Sequence, residues 1–149
     1  MAASRPRVDL RAIPRDLDAI IDWLEAWSYG LVLLEEYPLP DIELGVGAVS
    51  SAVESHCREA ESRLRAPLGF PDAPQAQLAR VVRHDHEWFA TSVQQFQWFL
   101  NVVRTEDHGG HRQALGQFGR VLAESLRRHR RDERWLEESA EPAPDGRLP

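Results

Sequence analysis

Lysine is missing from this chain: all 18 basic residues are arginine. Schiff-base chemistry on a lysine amine is therefore excluded. A single cysteine, Cys57, rules out an intrachain disulfide and a cysteine-based zinc site. Long hydrophobic runs are also lacking. The longest aliphatic stretch is Leu31 to Leu34, far short of a membrane span, so no membrane association is expected. A formal net charge of -6 disfavours a nucleic-acid binder, which needs a basic surface to displace counterions. The first fifteen residues carry four arginines with no apolar segment behind them, unlike a secretory signal, and a cytoplasmic protein is expected. Glycines are scattered, and none precedes Lys-Ser/Thr in a phosphate loop. Gly-x-Ser-x-Gly and His-Glu-x-x-His do not occur.

What remains is a chain of 149 residues, 42% hydrophobic, enough to bury one core. Apolar residues recur at three-to-four spacing in four stretches, from about Pro14 to Tyr37, Asp41 to Arg65, Gln75 to Arg104 and His111 to Glu138. Proline- and glycine-bearing segments separate them: Tyr37 to Pro40, Pro67 to Pro74, and Gly109-Gly110. Long amphipathic helices with short connections favour antiparallel neighbours. The fold expected is all-α, an up-down-up-down four-helix bundle over residues 1–138, with an extended arm at 1–13 and a disordered tail at 139–149.

Some polar residues interrupt the apolar stripes. On helical wheels His56 lies at the edge of the second stripe, Asp85 near the centre of the third, and His129 with Glu133 on the fourth. If the two hairpin turns centre near residues 70 and 106, His56, Asp85 and His129 share a layer, with Glu133 one turn away. Ser28, Ala52, Ser92 and Ser125 make a small-residue layer beside them. Two chemistries suit such a cluster. One is a buried hydrogen-bond network that fixes helix register. The other is a site for iron, manganese or zinc, with His56, Asp85, His129 and Glu133 as ligands.

Hemerythrin-like bundles use the His-x-x-x-Glu spacing of His129 and Glu133, but the first helix here has no histidine and the third no His-x-x-x-His. The Glu-x-x-His pair of ferritin-like bundles is also absent. No family's ligands are carried over. In His84-Asp85-His86-Glu87 only Asp85 is expected to face inward, with the other three solvated. His111 is expected to pair with Glu35 at one end of the bundle, and Arg127, Arg128, Arg130, Arg131 and Arg134 to form a solvated face. Trp98 falls on the outer face of the third helix with Val102 nearby, the kind of residue that anchors protein interfaces. The expected function is that of a small non-catalytic protein acting through contacts with a protein partner or a second copy, at Trp98 and Val102, without a cofactor. The alternative is a metal-binding bundle.

Overall fold

The computed structural model describes residues 13–34, 36–65 and 73–140. They form four helices, α1 (Leu17–Val32), α2 (Leu39–Arg65), α3 (Ala73–Thr105) and α4 (Gly109–Ala140). Each packs on its chain neighbours and α1 closes the ring against α4, while the diagonal pairs meet through side chains alone among the described residues. This is the expected four-helix bundle. Most of the arm and residues 141–149 of the tail lie outside the described residues, as does Glu35. Ser139 and Ala140, expected in the tail, belong to the last turn of α4.

The first helix is shorter than its periodicity suggests. The Asp16 carboxylate accepts the Ala19 amide at 3.1 Å and starts the helix there rather than at Pro14. It ends at Val32, five residues before Tyr37, with Leu34 in the left-handed region at φ 57°. The reason is tertiary. The Tyr37 ring folds back onto Gly30, where a Cβ would stand 2.8 Å from its ring carbons, so the chain must reverse between them. Arg112 holds the reversal by donating to the Tyr37 carbonyl at 2.6 Å, and Gln113 donates to the Val32 carbonyl at 3.0 Å, satisfying an otherwise unpaired helix end.

Three helices carry an uninterrupted alternation of three- and four-residue steps. In α2 it runs Ile42, Val46, Val49, Val53, His56, Ala60. In α3 it runs Val82, His86, Phe89, Val93, Phe96, Leu100, Val103. In α4 it runs Leu115, Gly119, Leu122, Leu126, His129, Glu133, Leu136. This repeat averages 3.5 residues and keeps one seam facing the partners along the whole helix. Trp23, Leu24, Trp27 and Leu31 of α1 complete the core, Trp27 meeting Phe96 edge-on at 5.9 Å.

α1 lies closest to α4. A Cβ on Gly116 would stand 2.7 Å from the Ser28 carbonyl oxygen, and one on Gly119 would collide with the Ser28 hydroxyl. Ser28 therefore serves close approach. The expected solvated face of α4 arginines holds in part, since Arg127, Arg130 and Arg134 are drawn into ion pairs along the same seam. Arg127 pairs with Asp22 at 2.7 Å and with Glu25, while Arg130 and Arg134 reach Asp18 at 3.0 and 2.9 Å. Arg128 and Arg131 remain outward and exposed. No helix among the described residues is long and apolar enough to cross a membrane.

Candidate metal centre

The alternating repeat carries polar side chains in one layer: His56 from α2, His86 from α3, and His129 with Glu133 from α4. Val53 and Ala60 flank His56 along its helix, Val82 and Phe89 flank His86, and Leu126 and Leu136 flank the α4 pair. The layer is thus enclosed between apolar ones. One donor atom from each of the four residues lies within 4.8 Å of all the others. His56 Nε2 stands 2.8 Å from Glu133 Oε1 and 3.0 Å from Oε2. His129 Nε2 is 3.0 Å from Glu133 Oε1, and 3.2 Å from His86 Nε2. The rings are steeply inclined to one another, 90° between His56 and His129 and 82° between His56 and His86, so their edges converge without stacking.

The far nitrogens of two rings are also committed. His129 Nδ1 donates to the Asp85 carboxylate at 3.0 Å and His86 Nδ1 to Glu61 at 3.4 Å. A carboxylate on the outer nitrogen fixes the tautomer and aims the Nε2 lone pair inward. Arg130 donates to Glu133 Oε1 at 3.3 Å and is held by Asp18, so α1 reaches the site through an ion pair although it supplies no donor.

Burial and charge act in opposite directions here. Burial alone would raise the Glu133 carboxyl, but the hydrogen bonds and charges of His129 and His56 hold it well below the usual carboxylate range. Burial likewise opposes the charged form of His129, and Glu133 and Asp85 outweigh it, so that imidazole is raised. His86 is lowered by its own burial and by the neighbouring His129. Cys57, beside the layer, is pushed up to about 11 by burial and by the Glu133 charge, which leaves an inert thiol.

The structure brings His56, His129 and Glu133 together and corrects two readings of α3. His86, expected in solvent, is 7% exposed and belongs to the layer. Asp85, expected as a ligand, stands one residue off the seam, one-third exposed, behind His129. A straight wheel drifts by about 20° per heptad relative to a 3.5-residue repeat. Over the length of α3 that drift moves the averaged stripe from His86 toward Asp85. Stepping backward by fours and threes from Leu100, Phe96, Val93 and Phe89 lands on His86, and that signal was present in the sequence. Val81 and Val121, expected on or beside the apolar stripes, lie off the alternating repeat and are 48% and 55% exposed.

The remaining candidates lie apart. His84 is exposed, with Glu87 3.8 Å away. His111 pairs with Glu106 at 3.2 Å; Glu35, its expected partner, is outside the described residues. Glu106, His108 and His111 form a second group of donors, but His108 Nδ1 accepts the amides of Gly110 and His111 and is engaged as the cap of α4. Trp98 is 61% exposed on the outer face of α3, and Val102 is half-buried. No protein-family model matches the chain, and no curated protein or solved structure is significantly similar to it.

Proposed function

We propose that this protein binds a divalent transition-metal ion, zinc in the first instance, between His56, His86, His129 and Glu133, and that the ion ties α2, α3 and α4 together. One observation carries the reading. The Nε2 atoms of His86 and His129 face each other at 3.2 Å while both Nδ1 atoms are turned to carboxylates. With the protons on Nδ1, two lone pairs and the Glu133 carboxylate converge on one point. A cation is required there, either a proton on His129 or a metal ion. The metal satisfies all four donors at once. Tetrahedral zinc, with bonds of about 2.0–2.1 Å, needs its donors about 3.3 Å apart, close to the His56–Glu133, His129–Glu133 and His86–His129 separations present. Three imidazoles and one carboxylate suit zinc or iron(II) better than manganese, which favours oxygen. Four protein donors make a closed site, the arrangement of a structural or stored ion rather than one that activates water.

The test is elemental analysis of protein purified without a histidine tag, followed by melting with and without chelator. A bound ion stabilises the native state by about 2.7 kcal/mol when its free concentration is 100 times Kd, so chelator should lower Tm. Glu133→Gln and His129→Ala should each abolish that response. Protein that contains no metal, takes up none of zinc, iron or manganese and ignores chelator carries a proton network instead.

The exposed Trp98 indole supports a second reading, in which the bundle acts through a protein contact at Trp98 and Val102. Its test is the solution mass of wild type against Trp98→Ala.

A further inference from the structure

The four donors differ in how they meet solvent. The side chains of His86, His129 and Glu133 are 7%, 0% and 9% exposed, and that of His56 is 16% exposed. His56 also lines a groove. Between the first turn of α1 and the middle of α2 lies an open channel of about 850 Å³, with Leu17 on one side and Ala52, Ser55, His56 and Glu59 on the other. Arg130 and Glu137 of α4 also line it.

Resting on the metal reading above, we propose that this groove is the route by which a divalent cation reaches the four-donor site, with His56 the first donor it meets. The other approaches are obstructed. Along the bundle axis an ion would have to cross the apolar layers of Phe89 and Leu126, or of Leu136, without hydration. Through the α3–α4 seam it meets Asp85 and then the Nδ1–H of His129. Through the α2–α3 seam it meets Glu61 and then the Nδ1–H of His86. Both imidazoles present a bonded N–H on those sides, and their lone pairs point away.

On the α1–α2 side no apolar layer or bonded imidazole N–H intervenes, and the Arg130 guanidinium in the groove is held by Asp18 and Glu133. α1 contributes no polar donor to the layer, and the short side chains Ala52 and Ser55 leave the channel wall low. Glu59 stands three residues beyond His56 on α2, and Glu137 four residues beyond Glu133 on α4, so the two carboxylates sit one turn outside the two donors that bond each other. A hydrated cation can exchange water for these oxygens, then for His56 Nε2. His56 Nε2 passes its proton to groove water, giving up its hydrogen bond to Glu133, as its freed lone pair coordinates, and the ion moves inward to Glu133, His129 and His86. The Glu59 and Glu137 carboxylates lining the groove raise the local cation concentration.

The experiment is Zn²⁺ uptake by chelator-treated full-length protein in stopped flow, with release followed by transfer to a chromophoric chelator. Ser55→Trp lays an indole in the groove without touching a donor. Uptake and release should slow by the same factor while Kd stays unchanged, because an obstructed path alters the barrier and not the end states. Thr91→Trp, on the exposed face of α3, should leave both rates as in wild type. Glu59→Gln with Glu137→Gln should slow uptake by about tenfold or more at low salt and lose that effect at high salt. Wild-type rates in both the Ser55→Trp and the double variant would overturn the route and leave the metal site standing. A change in Kd at unaltered uptake would do the same. If wild type takes up no Zn²⁺ at all, the metal reading falls and the route with it.

Discussion

Two layers of the bundle occupy equivalent positions of the same repeat and hold opposite chemistry. The middle layer is aromatic: Trp23 stacks on Trp27 at 5.7 Å, Trp27 meets Phe96 edge-on, and Phe96 stacks on Phe118 at 5.8 Å. The polar layer, toward the start of α1, holds three imidazoles and a carboxylate. The middle layer carries buried polar atoms without a protein partner among the described residues, including both indole Nε1 atoms and the Ser28 and Ser50 hydroxyls. In the polar layer the His86 and His129 nitrogens and the Glu133 carboxylate all have partners. The contrast teaches that the middle layer gains its stability from area and shape, tolerating stray dipoles. The polar layer is stable only as a connected set with its charge balanced.

The sharpest way to separate the layers is to damage each and ask what else changes. Trp27→Ala removes a fully buried ring and should cost roughly 3–5 kcal/mol by chemical denaturation, with chelator sensitivity preserved in whatever remains folded. If its loss also abolished metal binding, the layers would be one cooperative unit rather than two. Asp85→Asn leaves every donor in place and weakens the outer hold on His129. The expected result is a fall in Zn²⁺ affinity of about 10- to 100-fold. Unchanged affinity would mean that the Asp85 carboxylate is incidental to the site.

Of the two layers, acid should act on the polar one. His86 is lowered in the folded state, so the metal-free protein loses stability as pH falls below the ordinary imidazole value of 6.5. Glu133 is lowered too, and its contribution, present above its unfolded value of 4.5, is lost as pH falls further toward its folded one. His129 has the opposite sign: raised in the folded state, it contributes fully below 6.5, and that part is lost as pH rises through its folded value. Melting curves of Glu133→Gln should lack the lower acid step. An acid profile identical to wild type would place the sensitive groups elsewhere. Smallest of all is Trp98→Ala on the outer face. Stability should change by no more than about 0.5 kcal/mol, as for surface sites generally, and the solution mass should fall if wild type self-associates.

Much of this was legible from composition and spacing, because burial at the 3.5- to 3.6-residue period needs no knowledge of neighbours. The number of helices, their antiparallel order and the inward positions of His129 and Glu133 follow from periodicity and loop length. His86 was legible too, but only to a reading that follows the alternating repeat instead of averaging it. Glu61 was not, since a half-exposed glutamate on the flank of α2 resembles any solvated one until α3 is set beside it.

What the sequence by itself determined is local: where helices can form, which face of each is apolar, and that no lysine, disulfide or long apolar span enters the chemistry. What only the tertiary structure decided is relational. The end of α1 at Val32 depends on Tyr37 returning to Gly30, and the seating of α1 on α4 depends on Gly116 and Gly119 meeting Ser28. The convergence of His56, His86 and His129 on Glu133 depends on the registers of three helices at once. The physical reason is that periodicity fixes the direction of a side chain about its own axis to within a fraction of a turn. It leaves the relative height of neighbouring helices open by several ångströms, and at a cluster of nitrogen and oxygen atoms an offset of that size separates a site from a scatter of polar residues.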